Sequence, residues 1–222
     1  MLAVVVKPMN YKLRAYPTGH IQTNAFLLSD PSRGEAVLID APHFAWDEIQ
    51  TALKEDGCEL KALLLTHGHY DHIGDAAKIA EKGVPLYGHQ ADRKMFETPE
   101  MMRPYAYPES IELVGFQIDH WVKQGDVLQI LGLDCEVRHV PGHCPGNVLF
   151  YFESLELAFV GDALFAGSIG RTDLPGGDFN ELERSIRERI YTLPEEVTVL
   201  PGHGPSTTVG EEKKYNPYVS AQ

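Results

Sequence analysis

The chain has 222 residues, 43% of them hydrophobic and 23% charged, a composition ordinary for a soluble globular protein and a length that fits one domain spanning residues 1–222. Its 19 lysines and arginines against 32 aspartates and glutamates give a formal charge of −13, a surface that repels phosphate backbones and argues against nucleic-acid binding. No stretch approaches the ~20 consecutive apolar residues of a membrane span, and three cysteines (Cys58, Cys135, Cys144) without CxxC spacing argue against a disulfide framework and for a reducing, cytoplasmic compartment.

Leu2-Ala3-Val4-Val5-Val6 is too short for a signal peptide, has no basic region before it, and reads as an edge strand. Tyr11 to Tyr16, Asn24 to Leu28 and Ala36 to Asp40 read as strands, with Asp30-Pro31-Ser32-Arg33-Gly34 turning between the last two. Trp46, Ile49, Ala52 and Leu53 recur at helical spacing within Phe44 to Leu53, and Gly57 closes that helix. Lys61 to Thr66 is a nearly all-apolar strand, as expected when both faces are covered. A helix is expected from Ile73 to Lys82, stopping at Gly83, then a strand over Val84 to Tyr87 and a helix over Ala91 to Phe96. Thr98 to Ser110, with three prolines among Met and Tyr, reads as an irregular loop. Strands follow at Val127 to Leu131, Glu136 to Val140, Val148 to Phe152, Leu157 to Gly161 and Val197 to Leu200, with an amphipathic helix over Glu181 to Tyr191. Two strand-rich halves, each with helices, imply two packed sheets with helices outside.

The chemistry concentrates in Thr66-His67-Gly68-His69-Tyr70-Asp71-His72, directly after the apolar run Ala62 to Leu65. Neutral imidazole and carboxylate are the ligands that zinc and first-row transition metals prefer. In an extended or turn segment i and i+2 point the same way, so His67 and His69 can reach one ion, while Asp71 and His72, further round the turn, can serve a second. His143 sits in the bracket Pro141-Gly142-His143 and His203 in Pro201-Gly202-His203-Gly204-Pro205, rigid turns that fix a side-chain direction. Asp162 follows a strand at Phe159-Val160-Gly161, has no nearby lysine or arginine, and can bridge two ions as an imidazole normally cannot. All of these fall just past strand ends, on one rim, where a rigid scaffold holds a site on loops. His43 can cap the Phe44 helix, and His139 reads as structural or as a support behind the ligands. Cys144 reads as a small residue on the ligand loop.

These motifs resemble the metallo-β-lactamase superfamily along the whole chain: His67-Gly68-His69-Tyr70-Asp71-His72, then His143, Asp162 and His203 in order. Gly161-Asp162-Ala163-Leu164-Phe165-Ala166-Gly167-Ser168-Ile169-Gly170-Arg171-Thr172-Asp173 and the segment from Pro201 to Glu211 are similar to the short bacterial glyoxalase II-like hydrolases. The resemblance implies an α/β fold, a four-layer αββα sandwich with the metal site at one rim of the two sheets. It also implies a binuclear site: His67, His69 and His143 on one metal, Asp71, His72 and His203 on the other, and Asp162 bridging. Within the superfamily the metal varies among zinc, iron and manganese; two divalent ions, zinc first, are the expectation here. The sequence departs from the group at Cys144-Pro145-Gly146-Asn147, and only 19 residues follow His203, too few for the C-terminal helical region with which full-length glyoxalase II helps bind glutathione.

The implied activity is a metal-dependent thioesterase acting on S-lactoylglutathione or a related small thioester. Asp71 would orient the nucleophile as a catalytic residue, and a thiolate with a pKa near about 8.5 leaves without a dedicated general acid. Arg171 is a candidate for an anionic substrate end or for an ion pair with Asp173; Tyr70 is a candidate for the pocket wall, whereas Phe165 reads as core. The alternatives are an iron-dependent persulfide dioxygenase, which would use His67, His143 and Asp162 alone, and a lactonase or other ester hydrolase. A metal-stabilised binding module would close the coordination that catalysis leaves open.

Overall fold

The computed structural model describes residues 3–5 and 11–220. Strands β1 (Ala3–Val5), β2 (Lys12–Thr18), β3 (Thr23–Asp30), β4 (Glu35–Ile39), β5 (Glu59–Leu64), β6 (Leu86–His89) and β7 (His120–Val122) lie in chain order in one sheet. The first three pairings are antiparallel and the last three parallel. Parallel neighbours need crossovers. Helices α1 (Trp46–Asp56), α2 (Ala76–Ala80) and α3 (Arg93–Glu97) lie in those three connections.

The second sheet comprises β8 (Val127–Ile130), β9 (Leu133–His139), β10 (Val148–Phe152) and β11 (Leu157–Gly161), then, after a small hairpin of β12 (Leu164–Phe165) and β13 (Ser168–Ile169), β14 (Thr198–Pro201) and β15 (Thr207–Thr208). Its order is β15-β14-β11-β10-β9-β8, with α4 (Phe179–Ser185) crossing between the parallel pair β11 and β14, and α5 (Val209–Tyr215) after β15.

Strand alternation decides which layer each side chain enters. Phe26, Leu28, Val37, Ile39 and Leu64 of the first sheet meet Val137, Phe150, Phe152 and Phe159 of the second in one buried cluster. Their neighbours Leu27, Leu38 and Leu63 turn outward onto α1 and α2, where Ile49, Leu53 and Ile79 complete a second cluster. Leu149, Ala158 and Val160 likewise face Leu182, Ile186 and Ile190. The result is four layers, helix–sheet–sheet–helix, as expected from the two strand-rich halves.

Most expected elements are present, and Gly57 does cap α1 in the left-handed conformation (φ 64°). The Leu2 to Val6 run forms an edge strand over Ala3–Val5; Leu2 and Val6 lie outside the described residues. Four expectations need correction. The helix expected from Ile73 to Lys82 is only Ala76–Ala80. Its first turn is diverted because Ala41 takes both backbone partners, its N–H donating to His72 O and its carbonyl accepting from Asp75 N. The Thr98 to Ser110 loop contains a 3-10 helix over Pro99–Tyr105, with Met102 turned inward. His43 does not cap the following helix: its Nε2 pairs with Glu112 O at 2.8 Å. The last long helix runs as α over Phe179–Ser185 and widens to a π-helix over Ile186–Ile190.

Candidate metal centre

Each ligand-type side chain is delivered by a strand that ends at the same rim. The chain leaves β5 through Leu65 and Thr66, and Thr66 O accepts from Val148 N of the second sheet at 2.8 Å, joining the sheets where the histidine loop begins. Asn24 N donates to Gly202 O at 2.7 Å, which brings the His203 turn to the start of β3. No side chain could replace Gly202, because a Cβ there would stand 2.1 Å from Asp162 Oδ1.

All seven sequence-selected side chains converge. Three overlapping clusters place ligand atoms within 4.8 Å of one another: His67, His69 and His143; His67, His72 and Asp162; Asp71, His72 and His203. In the first, His69 Nδ1 lies 3.1 Å from His67 Nε2 and 2.9 Å from His143 Nε2. In the last, His203 Nε2 lies 3.3 Å from Asp71 Oδ2, and His72 Nε2 lies 3.4 Å from the same oxygen. Asp162 stands between them: Oδ1 is 3.2 Å from His72 Nε2, and Oδ2 is 3.6 Å from His143 Nε2 and 3.4 Å from His203 Nε2. His72 Nε2 and Asp162 Oδ1 are buried with no hydrogen-bond partner. Buried polar atoms are ordinarily satisfied, so two orphans pointing into a nest of imidazoles and carboxylates fit metal ligation.

The protonation pattern agrees. Burial first, and neighbouring imidazoles second, hold His67 well below its ordinary value and bring His69 down to about 3. Those rings are neutral, the form that ligates. Burial also works against charge on His72 and His203, but Asp162 and Asp71 overcome it, raising His72 well above its usual value and pushing His203 up to about 10. Burial would raise Asp71 and Asp162; His72 and His203 instead hold both well below the carboxylate range. Protons shared in that way are the ones a cation displaces.

Behind the ligands stands a layer that the sequence did not single out. Asp40 Oδ2 lies 2.8 Å from His72 Nδ1 and accepts from Thr66 Oγ1 at 2.7 Å, while its Oδ1 accepts from Thr66 N at 2.8 Å. Thr23 Oγ1 donates to Asp71 Oδ2 at 2.7 Å, and His143 Nδ1 pairs with Arg171 O at 2.8 Å. Such partners fix ring orientation and tautomer. His139 is not among them: it stacks on His89 with centroids 4.1 Å apart and pairs with Pro145 O at 2.8 Å, bracing the His143 loop from outside.

A cavity of about 370 Å³ opens above the clusters, walled by Tyr70, Met102, Tyr105, Phe165 and Ile169, with Arg171 also lining it. Phe165 thus lines the pocket, edge-on to His203 with centroids 6.1 Å apart, where core packing was expected, because the β12–β13 hairpin lifts it out of the sheet. Arg171 forms a bidentate pair with Asp173, both contacts at 2.7 Å.

Residues 18–203 match the metallo-beta-lactamase superfamily. The chain is 36% identical over 210 residues to hydroxyacylglutathione hydrolase GloC of Haemophilus influenzae, covering 93% of this chain and 97% of that protein. It superposes on the B3 metallo-beta-lactamase BLEG-1 with a TM-score of 0.87 and 38% identity, covering 93% and 99% of the two chains. A second crystal structure, that of TTHA1623 in a di-iron-bound form, matches with a TM-score of 0.81 and 34% identity over 92% and 99%. With a site that fits two metal ions at the rim of its paired sheets, the chain belongs to the metallo-beta-lactamase superfamily of metal-dependent hydrolases.

Proposed function

We propose that the chain, acting as one domain over residues 1–222, is a thioesterase that hydrolyses S-lactoylglutathione or a related small thioester in the cytoplasm. The observation that carries this is the set of three overlapping ligand clusters, with Asp162 within 3.6 Å of His72, His143 and His203, at the floor of an apolar-walled cavity. Support comes from GloC, whose name states hydroxyacylglutathione hydrolysis.

His67, His69 and His143 would hold one ion, Asp71, His72 and His203 the other, and Asp162 both. Zinc is the first candidate by its preference for such ligands; iron is supported by the di-iron form of a relative. Two ions so held would lower the pKa of water towards neutrality and act as Lewis acids toward a carbonyl. The chain's own residues do the rest. Asp71 accepts from Thr23 Oγ1, which leaves its other oxygen to orient the attacking water. Tyr70, Met102 and Tyr105 line the cavity wall and give the substrate an apolar surface beside the site. Arg171 lines the cavity while paired with Asp173, and a substrate carboxylate would take the guanidinium in competition with that partner. The departing thiolate is a weak base, so the absence of an assigned proton donor costs little.

The test is a panel of S-lactoylglutathione, a lactone and glutathione persulfide, run with zinc-, manganese- and iron-loaded protein. Thioester turnover exceeding that of the lactone, without oxygen consumption on the persulfide, is the expected result. Oxygen uptake with persulfide and no thioester turnover would replace this reading with a dioxygenase.

A further inference from the structure

We infer that Asp92 is a positioning residue, clamping the two loops that carry His67, His69 and His143 and thereby setting the geometry of the three-histidine end of the site; this rests on those side chains being metal ligands. Asp92 closes a short 3-10 turn (Gln90–Asp92) after β6 and is 1% exposed. Its Oδ2 accepts from Gly68 N at 2.9 Å and faces Cys144 Sγ at 3.4 Å. Its Oδ1 is buried with no hydrogen-bond partner, and burial pushes the carboxyl up to about 6. Gly68 lies between two of the histidines, and Cys144 follows the third. One carboxylate therefore reaches a loop that leaves the first sheet after β5 and a loop that joins β9 to β10 in the second.

Both loops are shaped for this contact. A Cβ at Gly68 would lie 3.1 Å from Asp92 Cβ and 2.8 Å from Met95 Cβ, and one at Gly146 would lie 2.3 Å from Asp92 Cγ. Among the described residues no lysine or arginine pairs with Asp92. A buried carboxyl without a cation is costly, and an apolar side chain could fill the same space more cheaply. What the carboxylate adds is the set of donors it gathers from the two loops. Cys144, which has no place among the ligands, is explained as one of them. The other end of the site is held by different groups: Thr23 on Asp71, Asp40 on His72, and the Gly202 turn under His203. The clamp should therefore act on one end only.

That one-sidedness separates positioning from general destabilisation. Full-length apoprotein is loaded with cobalt(II) and titrated with a competing chelator while the visible absorption is followed. His69→Ala and His203→Ala assign the two steps. Asp92→Asn should loosen the three-histidine step at least about tenfold, as for other groups supporting metal ligands, and move the other step less than about threefold. Cys144→Ala, a milder change, should loosen the same step and leave the other unmoved. If Asp92→Asn does not fold, Cys144→Ala decides alone. Equal loosening of both steps, or none in either variant, overturns the clamp. Failure of the wild type to bind two cobalt ions would instead overturn the metal-site reading beneath it.

Discussion

Asp40 Oδ2 stands 2.8 Å from His72 Nδ1 and 2.7 Å from Thr66 Oγ1, so one carboxylate orients a ligand ring and ties down the residue that precedes the histidine loop. With Nδ1 engaged, only Nε2 of His72 is left for a cation, and it is that atom which has no partner. Asp40→Ala should weaken metal binding by about 10–100-fold, the usual loss when a ligand's support is removed. Chelator competition followed by metal analysis measures it; affinity within threefold of wild type would show that His72 needs no such orientation.

His69 lies within hydrogen-bond distance of both His67 and His143 and is the centre of its cluster. His69→Ala should lower kcat/KM by more than about 100-fold, exceeding the loss typical of a supporting residue. Its circular dichroism should match that of the wild type, because the apolar clusters lie elsewhere.

Away from the rim, Asp56 receives Arg14 and Lys12, with Lys12 Nζ at 2.7 Å. Burial alone would raise the Asp56 carboxyl, but the bonds from Arg14 and Lys12 hold it at about 2. A folded value below the unfolded one stabilises the protein above the ordinary carboxylate range, and the benefit fades as pH falls from about 4 towards 2. Thermal melts of the apoprotein across that window should show the loss. In Asp56→Asn this part of the acid dependence should vanish, while Asp56→Ala, which strands the buried Arg14, should cost about 3 kcal/mol at neutral pH.

Arg171 and Asp173 are both exposed, and their pairing adds little to stability. Arg171→Ala should leave the melting temperature within 1–2 °C, roughly what an exposed pair is worth. It should raise KM for S-lactoylglutathione several-fold with kcat nearly unchanged, the signature of lost uniform binding. An equal fall in kcat and kcat/KM would place Arg171 in the chemistry instead.

The ligands were legible because imidazoles crowded after a buried strand have few uses, and because Pro-Gly brackets announce a fixed turn. The layers were legible from alternation: Leu27 and Leu28 on opposite faces of β3 already imply two cores. Asp40, Asp92 and Thr23 were not, since a single aspartate or threonine at a strand end looks like any turn residue until its partner, 26 or more positions away in each of the contacts Thr66–Asp40 and Thr23–Asp71, is known. The shortened α2 was missed for the same reason: its first turn was lost to distant Ala41, not to a local breaker. Short strands such as His120–Val122 and Thr207–Thr208 exist only through their neighbours and leave no period of their own.

The ligand-type side chains are drawn from both sheets, His67 to His72 from one and His143, Asp162 and His203 from the other. Any slippage between the two layers is therefore transmitted to the spacing between the two sets of side chains. Substitutions at Phe150 or Phe159, deep in the seam and outside the cavity lining, should consequently tune reactivity as a wedge tunes a hinge, so that directed changes of the interior offer a route to altered catalysis without touching the mouth.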